Sequence, residues 1–340
     1  MSAVGQERAP LAPGTTGPIP TVVPARRRRA RRFQARWITK LLLILVLIGL
    51  SILFLYPFEW LVAAAFKPRG DTFDNSFLPH NWAWNFTGKY IPSPAPQRLF
   101  AIPGASVGHW MWNSVWISVL GAALTTFVSA CVAFAFAYFR FPLRNFLFGV
   151  LLATMMLPGE VTMIPVYLLW NHIGKFTLNH HEIFGMGIVP HIGTGTQYPL
   201  WVPNAFGSAF YIFLQRQFFL GIPRDYFEAA RMDGDSYFSM FRRIALPLAK
   251  PALIVTFIFE IQAKWFDLIT PLIYLRDQAT FTAPLGMKIL FDRFNNVGGG
   301  EGDFQVIMAG TLLLVLPMVI LFAVFQKYFI RGIAVQGTKG

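Results

Sequence analysis

The sequence is poor in cysteine and in charge. Cys131 is the only cysteine, so a disulfide within the chain is excluded and a thiolate metal site is not expected. Only 13% of the 340 residues are charged and 55% are apolar, whereas soluble domains carry about a quarter charged residues. Because the apolar residues also form long runs, the sequence predicts that most of the chain lies in a lipid bilayer.

Motifs for enzymatic chemistry are missing as well. No GxxxxGK[ST] phosphate-binding loop occurs, so the chain is not expected to hydrolyse ATP itself. No Ser/His/Asp arrangement is visible, and none of the six histidines shows the i, i+4 spacing of helical zinc sites. We therefore expect no catalytic residue, no metal and no cofactor in this chain.

Acidic residues are scarce: there are 16 Asp and Glu against 29 Lys and Arg, a formal charge of +13. Nine of the 29 precede residue 41 and border the first apolar run, which is typical of a cytoplasmic membrane anchor rather than of a nucleic-acid-binding domain. Residues 1–36 predict a disordered basic segment, because the Pro, Gly, Ala and Thr that dominate its first part cannot form a core.

Six apolar stretches are long enough to cross a bilayer as helices. They are Leu41–Phe66, Met111–Tyr138, Phe146–Trp170, Leu200–Leu220, Pro251–Leu275 and Phe304–Phe329. The first is longer than the roughly 7–15 apolar residues of a signal peptide, so we expect it to be retained. With both termini cytoplasmic, the inner segments hold 20 of the 29 Lys and Arg, as the positive-inside rule requires. The sequence thus predicts an all-α, six-helix membrane domain over residues 37–332 and a cytoplasmic tail at 333–340.

One polar segment, residues 222–250, has the pattern of a helical hairpin on the cytoplasmic surface. Glu228 complements the positive end of its first helix, and Gly234 breaks that helix. The second helix has an apolar stripe of Phe238, Phe241, Ile244 and Ala245. We expect the hairpin to present Glu228 together with Ala229 and Ala230.

This hairpin resembles the EAA signature of binding-protein-dependent ABC permeases. Glu228-Ala229-Ala230, Gly234 after three further residues, and Ile244-x-Leu246-Pro247 after nine more match every signature position. Other stretches resemble the sugar-transporting branch, specifically the smaller of the two maltose-type permease subunits. They include Ala133–Pro142, Met156–Pro165, Gln217–Pro223 and Gln326–Gly332.

The resemblance implies a coupling role for the hairpin, which in this family docks in a cleft of a cytoplasmic ATPase subunit. The residues implicated are Glu228, Ala229, Ala230, Asp233, Gly234, Leu246 and Pro247. Two ABC ATPases would bind the ATP and Mg, and a second permease and an extracytoplasmic solute-binding protein would complete an importer in the bacterial inner membrane. The alternative for the hairpin is an amphipathic helix that only lies on lipid, which would not need glycine and proline at these offsets.

The implied activity is import of a sugar or related solute. The alternatives are an ABC permease for a polyol, a glycerol phosphodiester or a peptide, and an ion-driven secondary transporter with Glu260 and Asp267 as ion sites. In maltose-type importers the other permease makes most sugar contacts. The outer segments 92–108 and 171–199 look longer than this family usually shows and are candidate contacts for the solute-binding protein.

Polar residues in the fifth apolar stretch are candidates for the translocation path. Glu260, Lys264 and Asp267 share one helix face at i, i+4 and i+7. A charge near mid-bilayer costs roughly 2.5–3.5 kcal/mol, so this face is expected to turn toward polar groups. It either lines the path or pairs Glu260 with Lys264 at the partner permease. Trp265, and Glu160 in the third stretch, are further candidates for the path or the partner interface.

Overall fold

The computed structural model describes residues 26–74, 76, 78–87, 98–179, 192–295 and 303–334. Every regular element in these ranges is a helix, which confirms the predicted all-α fold class. The chain separates into two compact units, Met1–Pro57 and Phe58–Gly340. Most of the predicted tail and much of the two long outer segments fall outside the described residues.

Helix α1 runs from Arg26 to Ala65. The predicted disordered segment ended at residue 36, but the helix begins ten residues earlier, because the arginine run favours helix and leads directly into the apolar run. Residues 1–25 lie outside the described residues. Every residue from 41 to 58 is exposed, and a helix that is apolar on all sides is expected to be surrounded by lipid.

The second unit contains twelve further helices among its described residues. They are α2 (Val107–Tyr138), α3 (Arg144–Thr154), α4 (Gly159–Asn179), α5 (Tyr198–Trp201), α6 (Ala209–Leu220), α7 (Asp225–Met232), α8 (Tyr237–Met240), α9 (Leu246–Leu248), α10 (Lys250–Trp265), α11 (Ile269–Tyr274), α12 (Ala283–Asn295) and α13 (Phe304–Ala334). Short 3-10 turns lie at Arg69–Asp71, Leu99–Ala101, Val202–Phe206 and Gln278–Thr280.

Three described helices are long and apolar enough to cross a bilayer: the Thr39–Ala65 part of α1, all of α2, and the Phe304–Gln326 part of α13. Two bent pairs raise the number to as many as five, if each pair crosses the bilayer as one span. Helices α3 and α4 meet at 97°, and the segment Tyr237–Leu248 meets α10 at 77°. Pro158 lies in the first break, where a residue without a backbone N–H cannot continue the helical hydrogen bonds.

The fourth predicted span, Leu200–Leu220, is wrong as a single helix. It consists of α5, the 3-10 turn Val202–Phe206 and α6, with Gly207 at φ +75° between the last two. Helix α6 has 12 residues and is about 18 Å long, which is shorter than a hydrocarbon layer of roughly 30 Å. The six-span count is therefore not confirmed by the described helices.

Helix α2 is the central element of the second unit. Its 32 residues span about 48 Å, and it packs along its length against α6 and α10. Ala122, Ala130 and Ala133 are fully buried in these contacts. Small side chains at such positions let the backbones of neighbouring membrane helices approach closely.

The loop and helix residues 274–290 cover the first turns of α2, and we call this region the cap end. Trp110 Nε1 donates a hydrogen bond to Gln278 O (2.8 Å). Asn113 Nδ2 donates to Ala279 O (3.0 Å) and to Phe281 O (2.9 Å). The last turns of α2 lie at the opposite end, against α6 to α9, and we call that region the hairpin end.

Candidate functional site

The hairpin predicted at 222–250 is closed by a glycine turn. Gly234 follows α7 at φ +81°, a backbone conformation that glycine adopts without strain. Asp235 N donates to Ala230 O (2.9 Å), and Gly234 N donates to Arg231 O (3.1 Å). These two hydrogen bonds are the Schellman pattern of a helix C-terminus, so the turn has a defined geometry.

The second half of the hairpin is capped and then widened. Ser236 Oγ accepts a hydrogen bond from Ser239 N (3.2 Å), which caps the N-terminus of α8. Phe241–Ala245 is a π-helical turn before Leu246 and Pro247. Because Pro247 has no N–H to offer the preceding turn, the wider turn is the expected consequence.

The hairpin exposes fewer of the predicted residues than expected. Glu228, Ala229 and Asp233 are exposed, but Ala230 is 8% exposed and packs inside the protein. The expectation that the hairpin presents both alanines is therefore wrong. Met232, which the sequence did not single out, is 88% exposed beside the turn.

The predicted apolar stripe of the second helix is also only partly buried. Phe241 and Ala245 are buried and Ile244 is partly buried, whereas Phe238 is 68% exposed. The α8 helix ends at Met240, and the π-helical turn changes the rotation per residue after it. A regular 3.6-residue period therefore does not describe which side chains face inward.

An aromatic cluster fastens the hairpin to the bundle. The ring of Phe134 on α2 lies 6.0 Å from that of Phe227 on α7 and 5.2 Å from that of Phe241, measured between centroids. The ring of Phe219 on α6 lies 5.9 Å from the Phe134 ring. Met240 is fully buried in this cluster. Since all these side chains are packed together, the hairpin is in direct contact with α2 and α6.

A cleft of about 550 Å³ is lined by residues from the end of α2, from α6 and from the hairpin. Its charged lining residues are Arg140, Arg224, Glu228 and Arg231, and its aromatic lining residues are Phe134, Tyr138, Phe139, Phe219, Phe227 and Tyr237. The Arg231 guanidinium lies 5.7 Å from the centroid of the Tyr237 ring. With three cations and one carboxylate in its lining, the cleft favours acidic groups on a binding partner.

A second polar site lies deeper in the bundle, where the fourth stretch is broken. Asn204 Nδ2 donates to Glu260 Oε1 (2.7 Å) and to Thr125 Oγ1 (2.7 Å). Ser208 N donates to Ser129 Oγ (3.1 Å), which satisfies one N–H at the break. Of this group, the sequence had singled out only Glu260.

The other candidates on α10 and beyond do not join that cluster. Lys264 Nζ donates to Leu200 O (3.1 Å), and Asp267 Oδ1 accepts from Thr270 N (3.0 Å). Trp265 is 2% exposed and its Nε1 donates to Leu314 O (2.9 Å), so it packs inside the protein. Glu160 is exposed in the first turn of α4. The structure forms no Glu260–Lys264 ion pair within its described residues, so that alternative is not what holds Glu260.

Comparison with known proteins identifies the family. Residues 126–335, well over half of the chain, match the family described as "Binding-protein-dependent transport system inner membrane component". The chain is 32% identical over 301 residues to the arabinooligosaccharides transport system permease protein AraQ of Bacillus subtilis, covering 88% of this chain and 96% of that protein. It is 26% identical to the maltose/maltodextrin transport system permease protein MalG of Escherichia coli, covering 94% and 99%.

The fold has a solved counterpart. A chain of a bacterial ABC transporter involved in import of the acidic polysaccharide alginate superposes with a TM-score of 0.67 at 19% identity, covering 87% of this chain and 98% of that one. The hairpin, the helical bundle and these matches together confirm the resemblance seen in the sequence. The chain belongs to the family of binding-protein-dependent transport system inner membrane components.

Proposed function

We propose that this chain is the transmembrane permease subunit of an ATP-driven importer of a sugar or related solute. The family and the arabinooligosaccharide and maltose permeases among its relatives support the class of activity. The observation that carries the coupling role is the glycine-closed hairpin, which exposes Glu228 and Ala229 and is fastened by aromatic packing to α2 and α6.

In this proposal the hairpin docks on a cytoplasmic ATPase subunit. The small side chain of Ala229 allows close contact, Glu228 pairs with a cation of the ATPase, and the arginine-lined cleft receives acidic groups. Closure of two ATPases around ATP and Mg moves the hairpins. The cluster around Phe134 passes that movement to the bundle as a rigid-body displacement.

The hairpin end is then cytoplasmic and the cap end faces the solute-binding protein. The Lys and Arg excess in the segments predicted to be inside supports this orientation, with both termini in the cytoplasm. A second, homologous permease completes the membrane part and covers the exposed apolar faces of α3 and α4, where Leu147, Val150 and Val161 are all exposed.

Uptake into proteoliposomes tests the function. The chain is reconstituted with its co-purifying permease and ATPase subunits and its solute-binding protein, and uptake of maltotriose and arabinotriose is measured with and without internal ATP. We expect uptake only with ATP and only with an ATPase whose phosphate-loop lysine is intact. Uptake driven by a proton or sodium gradient without the ATPases would show an ion-driven secondary transporter instead.

A further inference from the structure

The broken fourth stretch contacts three positions along α2, two of them through hydrogen bonds. Ser129 bonds the backbone at Ser208, and Thr125 bonds Asn204. A Cβ atom on Gly121 would lie 3.4 Å from Cγ of Asn204, so the amide is packed closely against that turn of α2. In membrane transporters, solute sites are typically formed where spanning helices are discontinuous, because backbone and side-chain polar groups are available there.

Two buried amide oxygens in this region accept no hydrogen bond from the described residues. Asn204 Nδ2 makes two hydrogen bonds, but its buried Oδ1 accepts none from the described residues. Gln215 shows the same pattern: Nε2 donates to Thr256 Oγ1 (3.1 Å), and the buried Oε1 accepts none from them. A buried acceptor without a donor costs free energy, so the region is suited to a ligand that brings O–H groups.

The described hydrogen-bond partners of Glu260 carry no positive charge. Glu260 is partly exposed, and these partners, Asn204 and Thr125, are both neutral. Lys264, one turn away on α10, bonds the backbone of Leu200 instead. A carboxylate in a region of low dielectric constant repels an anionic solute much more strongly than it would in water.

We infer that Glu260 and Asn204 form a solute subsite at the break in the fourth stretch, selective for neutral, hydroxyl-rich solutes and against anionic ones. This inference rests on the proposed function and narrows its substrate class. Asn204 holds the Glu260 carboxylate in place, and that carboxylate accepts hydrogen bonds from solute hydroxyl groups. Anionic sugars and glycerol phosphodiesters are excluded by charge.

The test compares import of a neutral and an acidic oligosaccharide by the assembled transporter in proteoliposomes. The probes are maltotriose and an alginate trisaccharide of similar size, each radiolabelled. The variant Glu260→Gln removes the charge and keeps the shape. The matched control Asp292→Asn removes a carboxylate near the end of α12, where it pairs with Lys288. The ratio of the two import rates is the readout, because a general loss of folding lowers both rates together.

We expect the wild-type transporter to import maltotriose and to reject the alginate trisaccharide. Glu260→Gln should raise the acidic-to-neutral ratio by about tenfold, the effect of one charge roughly 10 Å from a carboxylate of the bound solute at an effective dielectric constant of about 20. Asp292→Asn should leave the ratio unchanged. Failure to import maltotriose, import of the acidic probe by wild type, or an unchanged ratio in Glu260→Gln would overturn the subsite. If the import that remains still requires ATP, the proposed function is retained even though the subsite is not.

Discussion

Substitution of Gly234 tests whether the hairpin turn couples ATP hydrolysis to import. At φ +81°, a residue with a Cβ is strained even though no heavy atom lies within 4 Å of that position. Alanine should therefore cost about 1–2 kcal/mol through the backbone alone. Asparagine tolerates this conformation and should cost less. Proline cannot adopt it, because its ring holds φ near −65°, and it also removes the N–H that bonds Arg231 O.

A cost of 1–2 kcal/mol is enough to be seen, since it changes an equilibrium by roughly 5- to 30-fold. The assay is the number of solute molecules imported per ATP hydrolysed by the reconstituted transporter. We expect Gly234→Asn to stay near wild type, Gly234→Ala to lower the ratio, and Gly234→Pro to abolish import while the protein still inserts in the membrane. Gly149→Ala is the control, because its Cβ also meets no atom and its φ is not positive. Normal import per ATP in Gly234→Pro would refute the coupling role of the turn.

Two further substitutions test the exposed hairpin surface and the break in the fourth stretch. Glu228→Lys reverses an exposed charge and should reduce co-purification of the ATPase subunits at least tenfold, whereas Asp277→Lys at the cap end should not. If both variants recovered equal amounts of ATPase, Glu228 would not belong to the docking surface. Gly207 has φ +75°, and Gly207→Ala adds a Cβ only 3.1 Å from Ser129 Oγ, so it should lower the thermal unfolding midpoint in detergent by a few degrees. An unchanged midpoint would mean that the break is not tightly packed.

Much of the fold follows from local sequence. Three of the six predicted spans correspond to uninterrupted helices. In lipid, an apolar run of this length can form all the hydrogen bonds of its backbone N–H and C=O groups only as a helix. The hairpin was also predictable, since Glu228 in the first turn and Gly234 at the end are signals that act within one helix.

Features that depend on tertiary contacts could not be predicted in the same way. The fourth stretch is long enough to be predicted as one span, yet it breaks at Gly207, where Ser129 and Thr125 on a helix some 80 residues away bond the opened region. Burial of Ala230 depends likewise on the cluster around Phe134. A polar environment for Glu260 could be expected from the free-energy cost of a charge in a membrane. Its hydrogen-bond partner could not, because Asn204 lies on another element and the i, i+4 spacing pointed to Lys264 instead.

Cross-linking from Ala229 tests the central claim most directly. Cys131 is the only cysteine, so Cys131→Ser provides a cysteine-free background for Ala229→Cys, a small change at an exposed position. In inverted membrane vesicles, a short thiol cross-linker should join position 229 to the ATPase subunit. In intact cells, a membrane-impermeant thiol reagent should not reach it. Labelling of position 229 from outside the cell, or no cross-link to an ATPase in a transport-competent complex, would contradict the account.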